Sequence, residues 1–121
     1  MTIEQLKART QLFALGTIRL AGELRKTPSA QIIAKQLLRA GTSVGANYRA
    51  ACVAKSRADF ISKMKIVEEE CDESLYWMEL LVQSGQGATQ AVQRLRGEAK
   101  AILSIIVASI KTARKRMTND K

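Results

Sequence analysis

The segment SRADFISKMKIVEEECDESLYWMELLVQSGQG, residues Ser56–Gly87, contains the start, the body and the end of one long helix. Ser56 and Asp59 have the S-x-x-D spacing of a capping box, in which side chains bond the free backbone N–H groups of the first turn. Apolar residues then return every three or four positions, as on the inward face of an amphipathic helix. Gly85 follows, and glycine readily takes the left-handed conformation that ends helices. The segment therefore predicts a helix over residues 57–84.

The same periodicity recurs in three other parts of the chain. Thr27 has the character of an N-cap, and the proline after it suits the first helical position because its missing N–H is not needed there. Thr89 is a second candidate cap. We predict the remaining helices at about 3–26, 28–54 and 89–115, followed by a frayed tail from about Lys115. The inward stripes are expected to include Ile3 in helix 1, Asn47 in helix 2, Phe60 in helix 3 and Leu95 in helix 4.

Four long helices joined by very short turns predict an all-α fold, because consecutive helices must then fold back on one another. No segment alternates in the manner of a β-strand. A length of 121 residues suits a single domain with a single core. We therefore expect residues 1–121 to form one antiparallel up-down-up-down four-helix bundle.

The composition argues against catalysis and against most cofactors. The chain has no histidine, and its two cysteines, Cys52 and Cys71, do not form a C-x-x-C pair. The acidic run Glu68–Glu73 lacks the histidines of a helical di-iron site. No apolar run reaches the roughly 18 residues that span a bilayer. We expect a cytoplasmic protein that is not an enzyme, with no cofactor, metal, membrane or small-molecule substrate.

The charge of the chain is unevenly distributed. The net charge is +9, but residues Ser56–Ser84 contain seven acidic and three basic side chains, a balance of −4 that leaves +13 for the rest. One acidic helix and three basic helices favour head-to-tail docking between copies, which forms a ring where the rotation closes. We predict a ring-shaped homo-oligomer.

Several large apolar side chains point away from the inward stripes when residues are placed at about 100° intervals around each helix. They are Leu12, Leu15, Ile66, Tyr76, Trp77 and Leu80. Asp59 and Glu70 share the surface of helix 3 with them. A cluster that includes the chain's only tryptophan indicates a protein interface, and an error in the helical register is the alternative. We predict these eight residues at contacts between subunits.

Helix 2 contains two glycines, Gly41 and Gly45, although each interior glycine costs about 1 kcal/mol relative to alanine. We infer that another helix approaches the backbone closely at these positions. Ser43 and Asn47 are one turn apart on the same helix. We assign them a structural hydrogen-bonding role, with a recognition or interface role as the alternative.

The basic residues of helices 2 and 4 recur along the helix surfaces. The candidates for nucleic-acid binding are Lys35, Arg39, Arg49, Arg94, Arg96, Lys100, Lys111, Arg114, Lys115 and Arg116. A pI near 10.0 with charge along helix faces is typical of proteins that bind the phosphate backbone of RNA or DNA without reading bases. Two alternatives stay open: the charges serve solubility and subunit salt bridges, or the protein is a scaffold or adaptor for acidic protein partners.

Residues between Gln36 and Leu81 also resemble a known family. The resemblance rests on Gln36-Leu37-Leu38-Arg39, Ser43-Val44-Gly45-Ala46-Asn47, Arg49-Ala50, Lys55-Ser56, Asp59-Phe60, Lys65-Ile66-Val67-Glu68-Glu69-Glu70, Asp72-Glu73-Ser74 and Tyr76-Trp77. These residues are similar to those of small bacterial four-helix-bundle proteins that include the ones encoded in intervening sequences of large-subunit ribosomal RNA genes.

The resemblance implies a four-helix protomer in a ring-shaped homo-oligomer, usually a pentamer. It also implies that Arg39, Asn47, Asp59 and Glu70 organise contacts between helices or between subunits. Distant relatives are nucleic-acid-binding accessory proteins of diversity-generating retroelements, which makes nucleic acid the expected partner. Many relatives have Glu-Gly where this chain has Arg49-Ala50, so a role tied to that acidic position does not carry over.

Overall fold

The computed structural model describes residues 1–87 and 89–119, which form four helices. They are α1 (Ile3–Glu23), α2 (Pro28–Cys52), α3 (Arg57–Gln83) and α4 (Gln90–Asn119). Each helix packs against the next, and α1 also contacts α4. The described residues contain no β-strand, which confirms the predicted all-α fold with four helices. None of the helices in this part of the chain has the length and apolarity needed to cross a membrane.

A hydroxyl side chain caps the start of each helix. The cap residues are Thr2, Thr27, Ser56 and Thr89, and each accepts a hydrogen bond from the backbone N–H three residues later. At Thr2 the capping is reciprocal, because the Gln5 side chain accepts a hydrogen bond from the Thr2 N–H at 2.8 Å. The caps predicted at Thr27, Ser56 and Thr89 are therefore present, and they satisfy backbone donors that would otherwise lack partners.

Two helix ends differ from the prediction. α1 stops at Glu23 rather than near residue 26, because Leu24 takes an extended conformation and its side chain enters the core. α4 continues to Asn119, so the tail expected to fray from Lys115 is helical. The end of α3 at Gln83 agrees with the predicted glycine stop, since Gly85 has a φ of 76°.

The core is a continuous apolar cluster to which all four helices contribute. Its largest fully buried side chains are Phe13, Leu37, Met64, Met78, Leu81, Ile102 and Ile106. Four residues expected in the inward stripes are not fully buried: Ile3 is exposed at the start of α1, and Asn47, Phe60 and Leu95 are half-buried. Tyr48 takes the inward position beside Asn47. An inward stripe that steps by four residues and then by three fits the helix as well as one that steps by three and then by four, so the spacing alone allows either Tyr48 or Asn47 to face the core. The larger apolar surface of tyrosine favours the burial of Tyr48.

Gly41 and Gly45 lie where α2 meets α1. A Cβ at Gly41 would come within 2.9 Å of the Thr17 Cβ, and one at Gly45 would lie 3.2 Å from the Thr10 Oγ1. Both threonines are fully buried. The Thr10 hydroxyl donates to a carbonyl group of α1 at 3.0 Å, and the Thr17 hydroxyl donates to another at 2.7 Å. The close helix approach inferred from the two glycines is therefore present, and the hydroxyls of Thr10 and Thr17 both have hydrogen-bond acceptors.

Candidate nucleic-acid interface

The basic side chains fall into two groups according to their ion pairs. The first group is paired within the chain: Lys7 with Glu4, Arg9 with Glu98, Arg39 with Glu70 and Glu73, Lys63 with Asp59, and Lys65 with Glu68. Four of these acidic partners belong to the acidic helix α3: Asp59, Glu68, Glu70 and Glu73. Much of the acidity of α3 is therefore neutralised inside the subunit.

Arg39 connects α2 to α3. Its guanidinium pairs with Glu73, and its Nη1 lies 3.3 Å from Glu70 Oε2. The hydrogen bond to Glu73 and the charge of Glu70 raise the pKa of Arg39. Arg39 was predicted to bind nucleic acid and Glu70 to contact another subunit, whereas the structure brings the two together between helices.

Asp59 holds the start of α3. Its carboxylate accepts from the Lys63 ammonium at 2.7 Å and from the Lys55 backbone N–H at 3.0 Å. The Lys63 hydrogen bond, followed by the Lys55 N–H, lowers the pKa of Asp59. This predicted interface residue thus has its partners within its own subunit, close to the helix terminus that it stabilises.

The second group of basic side chains makes no ion pair with any described residue. Among the residues predicted to bind nucleic acid, it comprises Lys35 and Arg49 on α2 and Arg94, Arg96, Lys100, Lys111, Arg114, Lys115 and Arg116 on α4, all exposed except the half-buried Arg96. Arg19, Arg25, Lys26 and Lys55, which lie outside α4, also belong to this group. Glu98 is the only acidic residue within α4, and it is already paired with Arg9. The outer surface of α4 therefore carries positive charge that nothing in this part of the chain neutralises.

We define the α4 basic face as Arg96, Lys100, Lys111, Arg114 and Lys115, which fall within about 100° of arc on the helix. Arg96 is half-buried, and its Nη1 donates to Gln93 at 3.1 Å while its buried Nε has no hydrogen-bond partner in the described part of the chain. Arg94 and Arg116 lie outside this arc: Arg94 lies beside residues of α1, and Arg116 lines a groove together with Phe60 of α3. The predicted residues of α4 thus form one main face with two flanking charges.

Ser43 and Asn47 bond within α2. The Ser43 hydroxyl donates to the Arg39 carbonyl at 2.7 Å, and the Asn47 amide donates to the Ser43 carbonyl at 2.8 Å. These bonds continue along one side of the helix, where Asn47 is half-buried.

The apolar residues predicted at subunit contacts lie on the outer surfaces of α1 and α3. Leu12 is 68% exposed, and Leu15 is also exposed; Ile66 is 41% and Tyr76 52% exposed. Trp77 and Leu80 are half-buried against the core. Ile18, which was not among the predicted contact residues, is also exposed and continues the three-residue spacing of Leu12 and Leu15.

Tyr76 and Trp77 form an edge-to-face pair, with ring centroids 5.0 Å apart and planes at 68°. The Trp77 Nε1 is buried and has no hydrogen-bond partner among the described residues. Buried tryptophan N–H groups usually have an acceptor. The outer face of α3 therefore combines exposed apolar area with an unsatisfied donor.

The cysteines and acidic residues do not form a metal site. Cys71 is buried, its Sγ donates to the Ala99 carbonyl at 3.2 Å, and burial together with the nearby Asp72 raises its pKa to about 12. Within residues 1–87 and 89–119, no group of three or more histidine, cysteine or acidic side chains is arranged to hold a metal ion.

Comparisons with known proteins identify the family. The family model for the 23S rRNA-intervening sequence protein matches residues 5–108. A solved structure from Bacteroides thetaiotaomicron, described as a protein with unknown function from the S23 ribosomal protein family, is 33% identical. It covers 92% of this chain and 99% of its own, with a TM-score of 0.84. Among curated proteins none matches this chain. Since the family model spans most of the sequence, the chain belongs to the 23S rRNA-intervening sequence protein family.

Proposed function

We propose that this protein is a self-associating, non-enzymatic helical bundle that binds the phosphate backbone of RNA or DNA through the α4 basic face. The observation that carries the proposal is the division of basic residues into paired and unpaired groups. Unpaired cations on one helix surface attract a polyanion and release its condensed counterions, which drives binding that does not depend on base sequence.

The length of the α4 basic face suits a polyanion. Lys100 and Lys115 are 15 residues apart, or about 22 Å along the helix at about 1.5 Å per residue. That distance corresponds to about six phosphates of one strand at about 3.4 Å per phosphate. Contacts of this kind position a nucleic acid but do not read its sequence.

For the subunit we propose the antiparallel up-down-up-down topology. Support comes from the order of contacts: Thr10 lies opposite Gly45, whereas Thr17, further along α1, lies opposite the earlier Gly41. Between α1 and α4, Arg9 pairs with Glu98 and Gly16 approaches Leu95, again in opposite order.

For the assembly we propose a ring-shaped homo-oligomer, with the pentamer as the expected form. The exposed apolar residues of α1 and α3 and the unsatisfied Trp77 N–H support this proposal. A ring repeats the α4 basic face once per subunit, and simultaneous engagement of several copies by one nucleic acid raises avidity without any new contact.

The second candidate is a scaffold whose basic helices bind an acidic protein. It is favoured by the exposed Ile66 and Tyr76 on α3, because large apolar side chains on a surface are typical of protein interfaces. A nuclease-insensitive, stoichiometric protein partner would support this candidate over nucleic-acid binding.

The test compares two triple variants that each remove three lysine charges. One neutralises the α4 basic face (K100Q/K111Q/K115Q), and the control neutralises three ion-paired lysines (K7Q/K63Q/K65Q). Fluorescence anisotropy with labelled RNA and DNA is measured across a salt series. We expect the α4 variant to bind more weakly, with the slope of log affinity against log salt reduced by about 2 to 3. We expect the control to retain most of the wild-type slope.

Two outcomes would contradict the proposal. Equal losses in both variants would mean that net charge matters and that the α4 basic face does not. Absence of binding by the wild-type protein at low salt would remove nucleic acid altogether, and the scaffold function would take its place.

A further inference from the structure

A groove of about 720 Å³ lies where α3 starts and the last turns of α4 pass. Phe60 and Ile105 provide apolar walls, and Ala108 and Ala113 contribute only methyl groups. The small side chains explain why there is space here, and the volume is in the range of roughly 300–1,000 Å³ that is typical of ligand pockets. Phe60 is only half-buried, so part of its ring is open to a ligand.

Polar groups line the same groove. Arg116 is exposed at its edge, and the side chains of Ser109 and Thr112 lie along α4. Neither hydroxyl has a hydrogen-bond partner among the described residues, whereas Thr42 and Thr118 bond to carbonyls of their own helices. Arg57 at the start of α3 also lines the groove, which therefore combines an aromatic surface with two available hydroxyls and two guanidinium groups.

We infer that this groove holds an unstacked base of a single-stranded nucleic acid, with the base against Phe60 and the adjoining phosphate on Arg116. The inference rests on the proposed function and specifies its substrate class. Ala108 and Thr112 of the groove lie three residues before Lys111 and Lys115 of the α4 basic face, and residues three apart are neighbours on a helix surface. A strand anchored in the groove therefore continues onto that face. Aromatic stacking of bases combined with a basic path for the backbone is the usual mode of single-strand binding.

Other occupants fit the groove less well. A duplex keeps its bases stacked inside the helix and cannot present one to Phe60 without unpairing it. An anionic lipid or fatty acid would occupy the apolar walls, but its chain would leave Ser109 and Thr112 without partners. Its single head group would also leave the cations from Lys100 to Lys115 unused. A nucleic-acid strand supplies both polar base edges and a row of phosphates.

The test uses the full chain and three labelled probes: a single-stranded oligoribonucleotide, an abasic strand with the same number of phosphates, and a duplex. Phe60→Leu removes the aromatic face while keeping apolar volume, and Phe60→Tyr retains the ring as the matched control. We expect Phe60→Leu to weaken single-strand binding about fivefold or more, to the level of the abasic strand. Its affinity for the abasic strand and the duplex should not change.

A second measurement reports contact directly. In the double variant F60W/W77F, the only tryptophan lies in the groove, and its fluorescence should be quenched by the single strand but not by the abasic strand. This variant also serves if Phe60→Leu does not fold, which circular dichroism would reveal.

The outcomes separate the inference from the proposed function. If neither replacing Phe60 nor removing the bases weakens binding while K100Q/K111Q/K115Q still does, the groove assignment is wrong and the α4 basic face remains. If no probe binds the wild-type protein, both proposals fail. If oleate quenches F60W/W77F and the single strand does not, the groove is a site for anionic amphiphiles and the inference is overturned.

Discussion

At Gly41, the absence of a side chain determines how closely α2 approaches α1. A Cβ there would lie 2.8 Å from the Thr17 Oγ1 and within 2.9 Å of its Cβ, and both residues are buried. Overpacking of this kind usually costs about 1–3 kcal/mol. We expect Gly41→Ala to lower the free energy of unfolding by that amount, measured by urea denaturation.

Gly97 provides the control because a Cβ there has no atom within 4 Å. Gly97→Ala should raise the free energy of unfolding by about 0.5–1 kcal/mol, since alanine is the better helix former. Thr17→Ser removes the methyl group that meets the new Cβ and should restore part of the stability of Gly41→Ala. Equal effects at Gly41 and Gly97 would show that helix propensity alone governs both positions.

Asp59 should make stability depend on pH. Its folded pKa is lowered, first by Lys63 and then by the Lys55 N–H, so its contribution is present above the unfolded pKa of about 3.9. That contribution is lost as the pH falls through the lower folded pKa. We expect Asp59→Asn to melt at a lower temperature than wild type at pH 7, with the difference disappearing near pH 2.

Asp72 is a suitable comparison for Asp59, because it is exposed and has no ion pair among the described residues. Asp72→Asn should leave the melting temperature nearly unchanged at pH 7. A difference between Asp59→Asn and wild type that persists at pH 2 would indicate that the substitution acts through packing and not through charge.

At the scale of the helix, starts were predicted better than ends. Thr27, Ser56 and Thr89 act through hydrogen bonds three residues away, so local sequence is sufficient to recognise them. The end of α1 depends on the burial of Leu24 in a core formed by distant segments, which local sequence does not reveal. Tyr48 takes the core position predicted for Asn47 because this choice, too, depends on packing against distant segments.

The α4 basic face illustrates a second limit. All its residues could be identified from the sequence as basic and helical, but their pairing could not. Arg39 pairs with Glu70, which is 31 residues away in the chain, while Lys100 pairs with no acidic residue among those that the structure describes. Which cations are available to a partner is decided by packing between helices, and the groove at Phe60 likewise arises only when α3 and α4 come together.

For the whole molecule, the strongest expectation is self-association through the outer face of α3. Ile66 and Ile32 are both exposed isoleucines within helices, 41% and 62% exposed, but only Ile66 shares its face with Tyr76 and Trp77. We expect Ile66→Lys to shift the assembly toward smaller species in sedimentation velocity. Ile32→Lys should leave its size unchanged. The lysine acts by removing apolar contact and by repelling the basic surface of a neighbouring subunit.

The Ile66→Lys variant also tests whether assembly increases the affinity for nucleic acid. If a ring presents several copies of the α4 basic face, Ile66→Lys should weaken binding of a long strand more than binding of a short one, since only the long strand spans several copies. Circular dichroism would show whether the variant keeps its helices. A wild-type protein that sediments as a 13.3 kDa monomer at micromolar concentration in low salt would contradict the assembly. Binding to the α4 basic face of one subunit would then have to account for the whole affinity.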